Sequence, residues 1–190
     1  MSKTPAHWPA NVLYISEQHY HASVPSSLKS QLCPTNTSAR EGKRGHQALV
    51  VIRPIREQSH PAHGQYGLFA AKKIPPKSHI LDYIGEVHCD ERPCSDYDLS
   101  LYRAQDGTSV GVDASKMGNE ARYVNDYRGI RPKPNAIFEE RRNSRGELCM
   151  SVWSMSEGIK KGEEILVSYG KSWWKARVAD FVDSSTVCTK

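Results

Sequence analysis

The sequence predicts a mostly β domain with short helices. At least six short runs rich in β-branched and aromatic residues alternate with turn residues, and one segment near the end has helical spacing. Strands do not alternate with long helices, and neither GxxxxGK[S/T] nor GxGxxG occurs in the chain. A doubly wound nucleotide-binding fold is therefore disfavoured.

Three strands are predicted in the first ordered part of the chain. "ALVVIRPI" (residues 48–55) is β-branched and of strand length, and "YGLFAAKKI" (66–74) is stopped by Pro75 and Pro76. "HILDYIGEV" (79–87) is the third. The polar segment 89–101 that follows fits a short helix.

The second half of the chain favours hairpins. An Asp-Gly pair lies between two extended arms in residues 103–114, and residues 135–155 repeat that plan around a longer polar turn. "IKKGEEILVSYG" (159–170) carries a turn and then a strand. "KSWWKARVADFVDS" (171–184) places its apolar residues on one face of a helix.

The ends of the chain differ in composition from its middle. Residues 1–46 are rich in Ser, His, Pro, Thr and Lys, with one apolar cluster at residues 12–15. They fit a flexible arm, or a lead-in that packs on the domain at one point. We therefore expect a loosely packed arm (1–46), a catalytic domain (47–170) and a helical segment (171–190).

Charge and cysteine content narrow the class of protein. The 26 Lys and Arg against 21 Asp and Glu give a net charge of +5, which fits an acidic partner and an ordinary soluble protein equally well. No groove-reading motif appears, so direct nucleic-acid binding is not indicated. No run of 18 apolar residues exists to span a membrane. Five scattered cysteines without a CxxC pair indicate neither a disulfide framework nor a zinc site, and they favour a reducing compartment, nucleus or cytoplasm.

None of the usual catalytic constellations is indicated by the sequence. There is no nucleophile elbow, and the Glu163-Glu164 pair fits a solvated turn better than a paired-carboxylate site. What remains is a set of tyrosines: Tyr83 precedes a Gly-Glu pair, Tyr123 sits beside an Arg, and Tyr169 ends the last strand. Any one of them alone would be a core or rim residue.

Taken in order, four stretches resemble the SET domain of protein lysine methyltransferases from about residue 49 to residue 169. They are "QYGLFA" (65–70), "DYIGE" (82–86), "ARYVND" with "PNAIF" (121–126 and 134–138), and "EEILVSYG" (163–170). The resemblance implies a SET-type fold of several small curved sheets with a C-terminal pseudoknot and a short C-terminal helix. It also implies an S-adenosylmethionine-dependent lysine N-methyltransferase that uses no metal.

The resemblance assigns cofactor contacts to two motifs and the end of the chain. Gly67 would allow a close approach that a Cβ would block. Trp174, or its neighbour Trp173, could cover the adenine, although a packed core Trp is an alternative. The implied cofactor-binding set is Gln65, Tyr66, Gly67, Arg122, Tyr123, Asn125, Asp126, Tyr169 and Trp174.

The implied catalytic residues are Tyr169, at the methyl-transfer centre, and Tyr83, in the lysine channel. Methyl transfer from a sulfonium to an amine needs an in-line approach and little proton machinery, so aromatic walls and a hydroxyl suffice. Phe138 and Val167 would complete the channel with Tyr83 and Tyr169. Because they are not tyrosines, we expect more than one methyl to fit; exhaustive reactions whose mass spectra stop at one methyl would contradict this.

The chain departs from the family pattern at three positions. Asp126 stands where the family has His, Gln65 replaces the first Gly of Gly-x-Gly, and Ser168 replaces an Asp. The cysteine-rich flanks of many SET domains are also absent, so residues 171–190, alone or with residues 1–46, would have to close the site, unless a substrate or partner completes it.

We expect a histone tail as substrate, met by the acidic stretch 89–98, with a nuclear location and a possible chromatin partner. The alternatives are a non-histone substrate, a SET-fold chromatin adaptor without turnover, and an unrelated β-rich domain. Binding of S-adenosylmethionine separates the last alternative from the others, and turnover separates an enzyme from an adaptor.

Overall fold

The computed structural model describes residues 4–34 and 49–170. This part of the chain holds thirteen short strands, one seven-residue helix and one turn of 3-10 helix, Glu120–Tyr123. The first elements are β1 Leu13–Tyr14, β2 His19–Tyr20, α1 Ser26–Leu32, β3 Val50–Pro54, β4 Tyr66–Ala70, β5 His79–Asp82 and β6 Glu86–His88. The remaining strands are β7 Asp98–Arg103, β8 Ser109–Asp113, β9 Met117–Gly118, β10 Asn125–Asp126, β11 Ala136–Arg142, β12 Leu148–Ser154 and β13 Leu166–Val167.

The strands form several small sheets, which confirms the predicted mostly β class. The largest has the order β2-β6-β8-β7, and a second has the order β11-β12-β5. Three two-stranded sheets pair β3 with β4, β1 with β9, and β10 with β13. Both predicted hairpins are present, as β7-β8 and β11-β12, and Gly107 takes the positive φ of 89° that the first turn requires.

Two predicted elements differ from the structure. The single strand predicted over residues 79–87 is split, because β5 pairs with β12 whereas β6 pairs with β8, in another sheet. The short helix predicted within residues 89–101 is wrong: a loop leads into β7. Ion pairs from Arg92 to Glu86 and Asp113 tie this loop to the sheet and offset the local helical preference.

Residues 4–34 pack more closely than the loose arm we expected. β1 pairs in parallel with β9, and β2 pairs in parallel with β6. Helix α1 buries Leu28 and Leu32, and Val24 before it joins the same core. Although apolar residues are sparse in this segment, Val12, Val24, Leu28 and Leu32 are buried. The predicted C-terminal helix lies outside the described residues.

The last strand is bonded to both ends of one loop. β13 pairs in parallel with β10, which precedes residues 127–134. After that loop, the Asn135 side chain accepts from the Leu166 N–H at 2.8 Å and donates to the Glu164 carbonyl at 2.8 Å. This arrangement brings Tyr169, two residues beyond β13, next to β10.

The state of the cysteines and the length of the helices help to define the class of protein. Cys33, Cys89 and Cys149 are free thiols, whereas Cys94 is disulfide-bonded, which its spacing had not led us to expect. In the part of the chain that the structure describes, no helix is long and apolar enough to cross a membrane.

Candidate active site

A cavity of about 840 Å³ opens beside the 3-10 turn. Segments distant in sequence line it, from the N-terminal residues to the end of the described chain. Seven of its lining residues are aromatic: Trp8, Tyr66, Tyr83, Tyr97, Tyr123, Phe138 and Tyr169. Aromatic faces favour flat rings and cationic groups, so the cavity suits a ligand that carries either.

Tyr169 is held at both its backbone and its hydroxyl. Its O–H donates to the Val124 carbonyl at 2.8 Å, and its N–H donates to Asp126 Oδ2 at 2.8 Å. Burial, followed by the nearby Asp126 carboxylate, raises the pKa of this phenol well above its usual value. The hydroxyl therefore stays protonated at neutral pH.

Tyr83 is constrained in the same way. Its O–H donates to the Tyr97 carbonyl at 2.8 Å, and its ring meets that of Phe138 edge-on with centroids 6.0 Å apart. Burial, with Tyr169 nearby, raises the pKa of Tyr83 well above its usual value. Because each tyrosine donates its only O–H proton to a backbone carbonyl, what each can offer a ligand is an oxygen lone pair.

Arg122 holds the aromatic wall together. Its guanidinium lies 4.0 Å from the ring centroid of Tyr97, 5.2 Å from that of Tyr123 and 5.8 Å from that of Trp8. Its Nε donates to the Ala114 carbonyl at 2.9 Å. The residue lines the cavity, as predicted for a cofactor contact, but much of its charge is already engaged by these partners.

Asn125 and Asp126 both line the cavity and differ in how they are bonded. Asn125 Nδ2 donates to Glu164 Oε1 at 2.8 Å and approaches the Tyr66 carbonyl at 3.4 Å. The buried Asp126 carboxylate accepts from the Arg128 N–H at 2.9 Å and from its guanidinium at 2.7 Å, besides the Tyr169 N–H. Its side chain therefore stabilises the backbone around the cavity.

The start of β4 and the residue before it place two of three predicted residues at the cavity. Gln65 and Tyr66 line it, and the Tyr66 side chain is 39% exposed with its ring edge-on to Tyr123. Gly67 is not among the lining residues. A Cβ there would collide with Glu164 Oε1, so the required close approach is that of Glu164.

Val167 is fully buried, pairs with Asp126 across β10 and β13, and is not among the residues that line the cavity. Its control of methyl number stays a prediction. Trp173 and Trp174 lie outside the described residues.

Sequence reasoning missed several residues that line the cavity, among them Trp8, His60 and Tyr97. The Trp8 indole N–H donates to the Val12 carbonyl at 2.7 Å, which fixes the ring against Tyr123. None of the three belongs to a recognisable motif. The single available signal was an isolated Trp in an otherwise polar segment.

These features define a β-rich protein with a SET-type arrangement of small sheets around an aromatic cavity. The chain belongs to the SET-domain family, whose SET domain model matches residues 65–170. Human histone-lysine N-methyltransferase EHMT1 is 23% identical over 145 residues, which cover 75% of this chain and 11% of that protein. The chain thus spans about a tenth of the length of that relative.

Two solved structures show the same fold. ATXR5 in complex with mono-methylated histone H3.1 matches with a TM-score of 0.61 at 16% identity. The match covers 85% of this chain and 82% of that chain. The ctPRC2 complex in an autoinhibited conformation bound to S-adenosylmethionine matches with a TM-score of 0.51 at 25% identity. The match covers 70% of this chain and 17% of that chain. No group of three or more His, Cys, Asp or Glu residues within 4–34 and 49–170 could hold a metal ion.

Proposed function

We propose that this chain is an S-adenosylmethionine-dependent protein lysine N-methyltransferase that acts on a histone tail. The observation that carries the proposal is the pair Tyr83 and Tyr169. Both line the cavity, both stay protonated, and each has its O–H engaged by a backbone carbonyl. The SET-domain match and the histone-lysine N-methyltransferase relative support it.

The cavity fits the cofactor in size and chemistry. Its volume lies in the range of about 300–1,000 Å³ typical of small-molecule sites. When bound, S-adenosylmethionine supplies an electrophilic methyl group on a sulfonium. We assign its binding to Gln65, Tyr66, Arg122, Tyr123, Asn125, Asp126 and Tyr169, with Gly67 leaving room for Glu164 beside β4. Trp174 stays a proposed cover for the adenine.

The tyrosines orient the substrate amine. A lysine entering between aromatic walls loses water, which lowers its pKa from about 10.4 and releases the proton to solvent. The neutral amine has two N–H groups and one lone pair. Two hydroxyl oxygens that act only as acceptors, those of Tyr83 and Tyr169, can hold the N–H groups and leave the nitrogen lone pair for the methyl.

Two acidic side chains at the cavity favour a basic peptide. Asp96 and Asp98 line it, and Asp98 is held by a 2.9 Å hydrogen bond with His88 Nε2. A basic histone tail has the complementary charge. Histone H3.1 is the partner in the ATXR5 structure. A nuclear location is part of the proposal, because it follows from a histone substrate.

A second candidate is a SET-fold chromatin adaptor that binds ligands without turnover. The observation that favours it is Asp126, whose carboxylate is fully occupied by Arg128 and Tyr169 where the family has His. A non-histone substrate is the third possibility. Turnover distinguishes the adaptor from a methyltransferase that acts on a histone or on a non-histone protein.

The test measures methyl transfer from labelled S-adenosylmethionine to core histones and separate histone tails. Tyr169→Phe removes one hydroxyl from the cavity, and we expect it to lower kcat about 100-fold, as for loss of one aligned polar group. Tyr102→Phe is the matched control, because Tyr102 packs on the core away from the cavity. Cofactor binding without labelling of any histone would favour the adaptor or a non-histone substrate.

A further inference from the structure

We infer that His60, acting through Glu164, is a positioning residue that fixes the Asn125 amide with its carbonyl oxygen presented to the cavity. That oxygen would accept from an N–H donor of the bound ligand. The inference rests on the proposed function, because it concerns the same ligand site. His60 lies outside every motif that identified the family.

The hydrogen bonds of His60 define its tautomer. The Ala62 backbone N–H donates to Nδ1 at 3.0 Å, so Nδ1 must carry a lone pair. The ring proton is therefore on Nε2, which lies 3.0 Å from Glu164 Oε2 and donates to it. Both side chains are only 8% exposed, so water cannot readily replace this bond.

The other oxygen of Glu164 decides which way Asn125 points. A carboxylate accepts hydrogen bonds only, so the group that faces Oε1 at 2.8 Å must be the amide NH₂ of Asn125. The Tyr66 carbonyl, 3.4 Å away, is a second acceptor beside the same nitrogen. With the NH₂ held by these acceptors, the Asn125 carbonyl oxygen is directed away from them.

Glu164 is held in place by the backbone as well. It forms an antiparallel bridge with Phe69, and the following Ile165 N–H donates to the Leu68 carbonyl at 2.8 Å. Its carboxylate occupies the space that a Cβ on Gly67 would need. The glycine at this position of β4 is thus explained by the approach of Glu164 to Asn125.

Removal of the imidazole should weaken ligand binding and spare the chemistry. Without its donor, the buried Glu164 carboxylate loses a charge-assisted hydrogen bond and the Asn125 amide is no longer held in one orientation. Tyr83 and Tyr169 are bonded to other groups and keep their positions. His60→Ala should therefore raise both Kd and KM for S-adenosylmethionine about tenfold, with kcat within about twofold.

The experiment compares the full-length protein with His60→Ala, His60→Gln and His63→Ala by calorimetric titration with S-adenosylmethionine and by methyl-transfer kinetics. Gln keeps an N–H donor and should recover most of the affinity. His63 is exposed in the same loop, so its variant should bind like the wild type. Should His60→Ala fail to fold, Glu164→Gln keeps the side-chain volume and should raise Kd as well.

Each result has a distinct meaning. Wild-type affinity in His60→Ala and in Glu164→Gln, or a loss confined to kcat, would overturn the positioning role and leave the proposed function standing. Failure of the wild-type protein to bind S-adenosylmethionine would overturn the proposed function and this inference together.

Discussion

Asp126 connects two backbone segments through one carboxylate. It accepts from the Tyr169 N–H after β13 and from the Arg128 N–H after β10. The Arg128 guanidinium balances its charge. Because the carboxylate is buried, its oxygens would lose their hydrogen-bond donors and stay unsatisfied if either segment moved. Asp126 thus performs a structural task that depends on a short acidic side chain.

Asp126→Ala should lower the free energy of unfolding by about 2–3 kcal/mol, because charge-assisted hydrogen bonds to buried backbone donors are lost. Asp126→Asn keeps one acceptor oxygen and should lose less. Urea unfolding followed by circular dichroism measures both. Glu91→Ala, at an exposed position of the loop before β7, serves as the control and should unfold like the wild type. Equal midpoints for Asp126→Ala and Glu91→Ala would contradict this role.

Helix α1 and strands β1 and β2 form one unit that completes the domain from outside the family match, which begins at residue 65. The strands extend two sheets in parallel, and the helix covers the core with Leu28 and Leu32. Trp8, from the same segment, forms part of the cavity wall. The N-terminal unit therefore contributes both to stability and to the site.

Leu32→Ala should cost about 2–4 kcal/mol of unfolding free energy, since Leu32 is only 2% exposed. Leu13→Ala is the matched control: Leu13 lies in β1 of the same segment but is 61% exposed, so its loss should stay within about 0.5 kcal/mol. Thermal and urea unfolding provide the comparison. If Leu32→Ala were as stable as Leu13→Ala, the segment would not be part of the core.

Elements with local signals could be predicted from the sequence. The Asp-Gly turn and the alternating residues around it define β7-β8, and the longer polar turn defines β11-β12. The break within residues 79–88 could not be predicted, because it depends on pairing with β12 on one side and β8 on the other. The same holds for residues 89–97, where ion pairs of Arg92 outweigh local preference.

The residues of the site likewise fall into those that could be predicted from the sequence and those that could not. Tyr83, Asn125 and Tyr169 could be found because they lie in short contiguous motifs, and the structure brings all three to one cavity. Trp8, His60 and Tyr97 reach it through tertiary contacts with Arg122 and Glu164, which leave no periodic or spaced pattern in the sequence. Sequence reasoning identifies the motif residues; packing decides which other side chains complete the wall.

At the scale of the whole molecule, the cavity joins parts of the chain that meet only in the folded state. Its lining spans residues from the N-terminal segment to Tyr169, and β10, which contains Asn125, pairs with β13. A ligand there contacts several segments at once and has no equivalent site in the unfolded chain. Binding should therefore stabilise the whole described domain.

S-adenosylmethionine at 100 times its Kd should add about 2.7 kcal/mol to the free energy of unfolding. For a domain of this size that corresponds to a rise in Tm of roughly 5–10 °C. Differential scanning calorimetry with increasing cofactor measures the rise, and Asn125→Ala, which lacks the proposed acceptor, should reduce it. Asn11→Ala, at an exposed N-terminal position, should keep it. A Tm independent of cofactor concentration would mean that the cavity does not take this ligand, because linkage requires stabilisation whenever the folded state alone binds.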